Sequence, residues 1–267
     1  QRAWLEVRPS AIESNVAILK DRLSENCALM AVVKADGYGH GAITVAKAAL
    51  MGGASSLGVA TLQEGIELRQ SGLECPILIL GNFTESEELR TCLYWHLMPT
   101  LSSIREALTC QRLALASDRI FHVQLKVDTG MSRLGCELVD APCLVESIEQ
   151  FSHLSLKGVY SHLALADGDN HDQAVADTDK QNKLFESFLK ELPPTKEVIT
   201  THLANSAGML LDGRFHYDMV RLGLALYGYS PIRHLEGKLG LKPALAVKAR
   251  VTLMREVPKG VGVSYGH

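Results

Sequence analysis

A lysine at the end of an apolar run is the first residue of this sequence whose setting suggests chemistry. Residues 29–33 are apolar throughout, which is typical of a strand buried on both faces, and Lys34 follows them directly. A buried ammonium is costly unless it is paired or reactive, and its neutral form is a nucleophilic amine. Three glycines spaced two apart come next, at Gly37, Gly39 and Gly41. The alternative is a surface lysine beside a flexible turn, and this stretch alone leaves both interpretations open.

Polar residues also stand at the ends of other apolar runs. They lie in residues 126–135, at His162, in residues 202–206 and in residues 221–223. Residues 205–208 open a predicted helix and residues 223–225 form a predicted turn, so their backbone N–H groups and the Ser206 hydroxyl could bind a phosphate. Each turn alone is more typical of an ordinary cap. Together with the strand-end lysine, the two turns indicate a phosphorylated aldehyde cofactor held through the Lys34 amine.

The elements that would position these residues alternate regularly between strand and helix. After an N-terminal strand and helix, eight strand-then-helix units follow from residue 29 onward. Regular alternation predicts a parallel sheet, and eight units predict a closed (β/α)8 TIM barrel, an α/β fold that spans residues 1–237. In such a barrel the polar strand ends meet on one face. The alternative, an open doubly wound sheet, is disfavoured because no GxGxxG follows the first strand of the alternation.

The pattern changes near residue 238. Residues 244–257 predict one long strand, residues 258–260 a turn, and residues 261–265 the start of another strand. We therefore expect residues 238–267 to begin a second, antiparallel β domain of which only the first part is present.

Composition limits the classes of function. Hydrophobic residues make up 46%, charged residues 21%, and the net charge is −3, which is typical of a soluble globular protein and disfavours nucleic-acid binding. No run is long and apolar enough to cross a membrane. The six cysteines include no CxxC pair, so we expect free thiols in the cytoplasm, and we predict neither a disulfide framework nor a metal site.

Five segments resemble motifs of the alanine racemases, in the order in which that family carries them. They are residues 31–41 (AVVKADGYGHG), 126–135 (KVDTGMSRLG), 204–207 (ANSA), 220–223 (VRLG) and 263–266 (VSYG). The first motif is highly specific, although Gly37 stands where the family usually has alanine. Pyridoxal-dependent decarboxylases of the same barrel type share the lysine but not the YGHG ending. The resemblance implies a fold-type III enzyme that racemises L-alanine to D-alanine for peptidoglycan.

The resemblance also implies a division of roles within a homodimer. Lys34 and Tyr265 would be the two bases, one on each face of the substrate Cα, with Tyr265 supplied by the other subunit. Arg133 would bind the substrate carboxylate. Lys126 matches a position that family members carry as a carbamylated lysine, whose negative charge would position that arginine.

The implied cofactor is pyridoxal 5'-phosphate. Its binding set would be Lys34, Tyr38, His162, Asn205, Ser206, Arg221, Gly223 and Leu224. Arg221 would face the pyridine nitrogen, and His162 would form a hydrogen bond with Arg221. From the residues alone, an alternative is supported nearly as well: His162 could be a core histidine whose hydrogen bonds go to the backbone.

Two other functions stay open at this point. One is a racemase that prefers serine or accepts several amino acids, because the family's C-terminal domain, which supplies further pocket contacts, continues well beyond Tyr265. The other is a barrel that binds the cofactor without catalysis, which would need neither Arg133 nor Tyr265. If the molecule ends at His267, we expect little racemase activity from it.

Overall fold

Eight parallel strands alternate with helices in the computed structural model, which describes residues 2–266. The strands in chain order are β1 (Ala3–Val7), β2 (Ala28–Val32), β3 (Ser56–Val59), β4 (Ile77–Ile79), β5 (Met98–Leu101), β6 (Phe121–Lys126), β7 (Leu154–Tyr160), β8 (Thr200–His202), β9 (Met219–Leu222) and β10 (Leu245–Ala249). The helices are α1 (Pro9–Lys20), α2 (Lys34–Gly39), α3 (Ala42–Met51), α4 (Leu62–Gln70), α5 (Ser86–Tyr94), α6 (Ile104–Ala116), α7 (Ala141–Gln150), α8 (His171–Lys190) and α9 (Ser206–Leu211). Short 3-10 helices cover Gly213–Phe215, Leu224–Tyr227 and Arg233–Leu235.

The parallel strands β2 to β9 close into a barrel. Hydrogen-bonded neighbours follow the order β8-β7-β6-β5-β4-β3-β2-β9. The end strands meet at a seam, formed by residues 201–204 and 218–221, where the Asp218 N–H donates to the Thr201 carbonyl (3.0 Å) and the Arg221 N–H donates to the Ala204 carbonyl (3.0 Å). The Asp218 carboxylate also accepts from the Thr201 N–H (2.7 Å) and hydroxyl (2.6 Å). The predicted (β/α)8 barrel is confirmed, and the open doubly wound alternative is wrong.

Apolar side chains pack on both faces of the lysine-bearing strand β2. Leu29 and Ala31 belong to the large buried cluster that also includes helix residues such as Val45. Met30, between them, belongs to a separate buried cluster with Leu78, Tyr160 and Met219. Because alternate residues of a strand face opposite sides, burial of both faces explains why this strand is apolar throughout.

The N-terminal strand pairs with the last strand rather than with the barrel. β1 and β10 are antiparallel, from Ala3 opposite Ala249 to Val7 opposite Leu245. The buried Asn15 of α1 ties the segment before β10 to the 3-10 helix after β9. Its side-chain amide donates to the carbonyls of Leu226 and Lys242 (both 2.9 Å) and accepts from the Lys242 N–H (2.8 Å).

The expected long strand over residues 244–257 and the hairpin after it are wrong in extent. β10 ends at Ala249, and residues 250–266 form no further strand in the described part of the chain. A strand needs a neighbour to pair its backbone groups, and β1 is only five residues long. Beyond it, side chains such as Val251 and Leu253 are exposed. A turn does form near residue 258, where the Val261 N–H donates to the Pro258 carbonyl (3.2 Å).

The cysteines are free thiols, as expected. Of the six, Cys143 is exposed, Cys75 is half-buried, and the other four are buried. Burial raises the pKa of the Cys27 thiol to about 11 and that of Cys136 to about 12, so both thiols stay protonated. No helix among the described residues is long and apolar enough to cross a membrane.

Candidate active site

The backbone turns left-handed immediately after β2, in the segment we call the lysine turn (Lys34–Gly39). Ala35, Asp36, Gly37 and Tyr38 have φ angles of 51°, 51°, 59° and 52°. A left-handed backbone costs about 1–2 kcal/mol for each non-glycine residue, so the three non-glycine residues together cost roughly 3–6 kcal/mol. Contacts with other parts of the chain must therefore hold this turn.

Two carboxylates, one within the lysine turn and one outside it, tie the turn to its neighbours. Asp36 Oδ1 accepts from the Ala42 N–H (2.8 Å), which ties the turn to the start of α3. Glu64 Oε1, from α4, accepts from the Ala35 N–H (2.7 Å), next to the lysine itself. Hydrogen bonds to charged acceptors are roughly twice as strong as neutral ones. The turn brings the Tyr38 side chain to the same cavity as Lys34.

A cavity of about 380 Å³ lies at the C-terminal ends of the barrel strands. Ten of the predicted site residues line it: Lys34, Tyr38, Lys126, Arg133, His162, Asn205, Ser206, Arg221, Gly223 and Leu224. Tyr265 does not line this cavity in its own chain, since it lies in the exposed segment after β10. The resemblance implies that Tyr265 is supplied to the site of another subunit, and this stays a prediction.

Arg221 occupies the barrel interior, where only 3% of it is exposed. Its Nη1 lies 2.9 Å from His202 Nδ1, its Nη2 lies 3.1 Å from His162 Nδ1, and Nη2 also donates to two backbone carbonyls. A guanidinium can only donate, so both Nδ1 atoms accept and both histidines are neutral with the proton on Nε2. The Nε2–H of His202 donates to Gln124 Oε1 (2.8 Å). Burial, with the charge of Arg221, lowers the pKa of His162 to about 3 and that of His202 well below its usual value.

The cavity gathers four cationic side chains, Lys34, Lys126, Arg133 and Arg221, against one acidic lining residue, Asp167. Burial lowers the pKa of Lys126 to about 8, and the charges of Arg221 and Arg133 contribute. Within residues 2–266, no hydrogen bond or ion pair ties up the Lys34 amine. An excess of positive charge in a cleft favours anionic ligands.

Two hydroxyl groups and a glycine form a cradle at one end of the cavity. Ser206 Oγ accepts from the N–H groups of Gly223 (3.0 Å) and Ala225 (3.3 Å), so its own hydrogen is free to donate elsewhere. A Cβ at Gly223 would lie 3.4 Å from the Tyr38 hydroxyl oxygen and would fill the space beside it. The Ser206 loop and the Tyr38 phenol therefore face a gap that is kept open by the missing side chain.

Asn205 lines the cavity, but its side chain is already engaged. Its Oδ1 caps α9 by accepting from the Gly208 N–H (3.0 Å), and its Nδ2 donates to the Leu163 carbonyl (3.2 Å). Its clearest task in the structure is to hold the loop that presents Ser206.

Arg133 is presented by a loop that begins where β6 ends with Lys126. Asp128 Oδ1 accepts from three successive N–H groups, those of residues 130–132, at 2.9, 2.9 and 3.1 Å. The loop returns to the strand through a bridge between Val127 and Cys136. Arg133 therefore stands on a short loop whose backbone is fixed by one carboxylate.

Tyr160 is a part of the site that sequence reasoning missed. It lines the cavity, its ring stacks on the His202 ring with centroids 4.7 Å apart, and Arg221 Cζ lies 5.0 Å from its centroid. Its hydroxyl donates to Thr100 Oγ1 (2.7 Å), because the Thr100 hydroxyl donates to a carbonyl. The available signal was its position two residues before His162, since alternate residues of a strand share a face.

Known alanine racemases have similar sequences and a similar fold. The family model described as "Alanine racemase, N-terminal domain" matches residues 7–231. The alanine racemase of Prochlorococcus marinus is 57% identical over 267 residues, and that of Nostoc sp. is 46% identical over 270 residues; each match covers 100% of this chain and 69% of the relative.

Solved structures agree with these matches. The alanine racemase from E. faecalis has a TM-score of 0.89 at 32% identity, with 100% of this chain and 71% of that chain covered. The enzyme from the D-cycloserine producing Streptomyces lavendulae has a TM-score of 0.86 at 35% identity, with 100% and 70% covered. Alanine racemases are isomerases, and this chain belongs to the alanine racemase family.

Proposed function

We propose that this protein binds pyridoxal 5'-phosphate through Lys34 and racemises alanine, so that D-alanine is supplied for peptidoglycan. The observation that carries the proposal is the cavity at the strand ends. It combines a strand-end lysine without a partner among the described residues, a hydroxyl-lined cradle and a buried arginine. Its positive charge suits both a phosphate and a substrate carboxylate.

The cradle supports binding of the phosphate group. The hydroxyls of Tyr38 and Ser206 can donate to it, together with the Leu224 N–H at the start of a 3-10 helix. Burial, and secondarily the charge of Glu64, raise the pKa of Tyr38, so the phenol keeps the proton it would donate. A side chain at Gly223 would fill the space beside that phenol. These donors fit an anionic ligand group.

Arg221 supports the pyridine end of the cofactor. When bound, the cofactor supplies an electron sink for the negative charge that develops at the substrate Cα. Burial lowers the pKa of Arg221 only to about 10, so the guanidinium keeps its protons at neutral pH. Facing the ring nitrogen, Arg221 would leave that nitrogen unprotonated and the sink weaker. This arrangement would shorten the lifetime of the charge at Cα and limit side reactions such as transamination.

Two bases on opposite faces of Cα are the simplest arrangement for racemisation. We assign Lys34 to one face and Tyr265 to the other, with Arg133 on the substrate carboxylate. Tyr265 is fully exposed in its own chain and so is accessible to a second copy. We therefore propose a homodimer in which each chain contributes Tyr265 to its partner's cavity.

Lys126 is proposed to be carbamylated. A pKa of about 8 leaves part of its amine neutral near neutral pH. That amine can attack carbon dioxide, which forms one N–C bond, releases one proton and leaves a negatively charged carbamate. The negative charge would lie among the cationic groups Arg133 and Arg221 and would position the arginine that binds substrate.

We also propose that residues 1–237 form the cofactor-binding barrel and that residues 238–267 begin a separate β domain. The support is that β10 pairs with no barrel strand among the described residues; its partner β1, although it lies in residues 1–237, also stands outside the barrel sheet.

Chemical trapping tests the cofactor assignment. The protein is incubated with pyridoxal 5'-phosphate, reduced with borohydride, and digested for peptide mapping. We expect the label on Lys34, its loss in Lys34→Arg, and its retention in Lys47→Arg, which changes an exposed lysine of α3. A label confined to other lysines would contradict the assignment.

Racemisation of separate substrates tests the reaction. L-alanine and L-serine are incubated separately with the protein and cofactor, and the D-isomers are quantified. We expect D-alanine to predominate. Predominant D-serine would favour a serine or broad-specificity racemase. Trapping on Lys34 without any D-isomer, from the protein extended to the full length of its relatives, would favour a non-catalytic barrel.

A further inference from the structure

Glu64 makes one hydrogen bond more than the capping of its own helix requires. As the third residue of α4 it forms a capping box with Thr61, whose hydroxyl accepts from the Glu64 N–H (3.4 Å). Its Oε2 accepts from the N–H groups of Ala60 (2.7 Å) and Thr61 (3.1 Å), at the end of β3. Its Oε1 accepts from the Ala35 N–H (2.7 Å), at the end of β2. One carboxylate thus joins the ends of two neighbouring barrel strands.

Glu88 shows what a cap alone looks like in this protein. It holds the same third position in α5, where it forms a capping box with Glu85. Its Oε2 accepts from the N–H groups of Thr84 and Glu85 (both 3.2 Å), and both residues belong to its own helix start. Within residues 2–266, its other oxygen makes no bond to a neighbouring strand end. The difference between the two glutamates is the contact with Ala35.

The Ala35 contact lies where the backbone is least favourable. Ala35 is the first of five successive residues with positive φ, and it directly follows Lys34. Its N–H has no acceptor other than Glu64 in the described chain. Without this acceptor the turn would lose a charge-assisted hydrogen bond at the point where the chain enters the left-handed region.

We propose that Glu64 is a positioning residue for the lysine turn: it fixes the backbone between Lys34 and Tyr38, and so sets how the lysine amine and the phenol are presented to the cofactor. This inference rests on the proposed function for its consequence, but the contact itself can be tested without cofactor. Glu64→Gln keeps one acceptor oxygen and turns an N–H₂ group towards backbone donors. It cannot satisfy both strand ends.

The first measurement is amide hydrogen exchange of the cofactor-free protein. In Glu64→Gln we expect exchange at Ala35 to be faster by roughly tenfold or more, since a charge-assisted bond is lost. In the matched control Glu88→Gln, exchange at Ala35 should stay within about twofold of the parent. Unchanged protection of Ala35 in Glu64→Gln would overturn the inference, whatever the protein binds.

The second measurement follows the lysine adduct with pyridoxal 5'-phosphate. Glu64→Gln should form the trappable Lys34 adduct more slowly, and the pH at which its visible absorbance titrates should shift. Glu88→Gln should change neither property, although both variants lose a capping bond. If exchange responds and the adduct does not, Glu64 is structural and the inference is wrong. If the parent forms no Lys34 adduct, the proposed function fails, and the exchange result still decides the contact.

Discussion

Neutral histidines in the barrel interior make the stability of this fold depend on pH. Burial, helped by Arg221, holds the pKa of His162 at about 3 in the folded protein, against a usual value of 6.5. As the pH falls below 6.5, the unfolded chain takes up a proton that the folded chain does not, so acid favours unfolding. One pKa unit is worth about 1.4 kcal/mol, so the full shift corresponds to roughly 5 kcal/mol by about pH 3. Between pH 7.5 and 5.5, His162 alone should cost roughly 1–2 kcal/mol.

The variant His162→Asn isolates this contribution. Its Oδ1 stands near the position of Nδ1 and can still accept from Arg221, but it does not titrate. We expect its free energy of unfolding, from urea denaturation, to fall by roughly 1–2 kcal/mol less than that of the parent between pH 7.5 and 5.5. The comparison is between pH values within each protein, so a general loss of stability in the variant does not affect it.

A matched control is His171→Asn, which removes a histidine from the exposed start of α8. Its pH dependence should equal that of the parent. If His162→Asn also follows the parent between pH 7.5 and 5.5, then His162 is not held neutral by burial, and the reasoning from the Arg221 contacts fails.

Three further predictions concern the scaffold and Lys126. Asn15→Ala leaves three backbone groups without partners and should lower the free energy of unfolding by roughly 3 kcal/mol or more in urea denaturation, whereas Ser14→Ala should change it by less than about 1 kcal/mol. Gly37→Ala brings a Cβ 3.0 Å from a Val45 methyl at a φ of +59°, so urea denaturation should show a larger loss than for Gly39→Ala, where φ is +82° and no atom lies within 4 Å. In ¹³C-bicarbonate, NMR should detect a carbamate carbon whose signal intensity rises as the pH approaches about 8, because more of the Lys126 amine is then neutral. Lys126→Arg should lack this signal. Absence of the signal in the parent at every pH would contradict carbamylation.

Local patterns were sufficient to predict the barrel and to bring several polar strand ends to one cavity. The strand ends at Lys34, Lys126, His162 and Arg221 could be placed because a parallel barrel collects its strand ends on one face. The resemblance implied the hydrogen bond between Arg221 and His162, but nothing in the sequence showed the other acceptors, at His202, Ser161 and Leu203. Those contacts come from strands that are distant in the chain.

The lysine turn and the last strand were beyond local reasoning for different reasons. Alanine, aspartate and tyrosine disfavour a left-handed backbone, so no propensity predicts one there. The Glu64 carboxylate from α4 and the Asp36 carboxylate of the turn itself hold it in place. The strand after residue 244 was predicted too long because its length is set by β1, whose five residues lie at the other end of the sequence. Tyr265 remains a prediction from resemblance, since its own chain does not bring it to the cavity.

The seam between β8 and β9 couples closure of the barrel to anion binding in the cradle. The seam has two direct backbone hydrogen bonds, supplemented by the Asp218 carboxylate, and the loops that follow it carry Ser206 and Gly223. Parting of the two strands would move Ser206 away from Gly223, so an open seam cannot keep the cradle. An anion that binds across both loops would then stabilise the closed state by a free energy that grows with the logarithm of its concentration relative to its Kd. An anionic ligand bound in the cradle would therefore also stabilise the closed barrel.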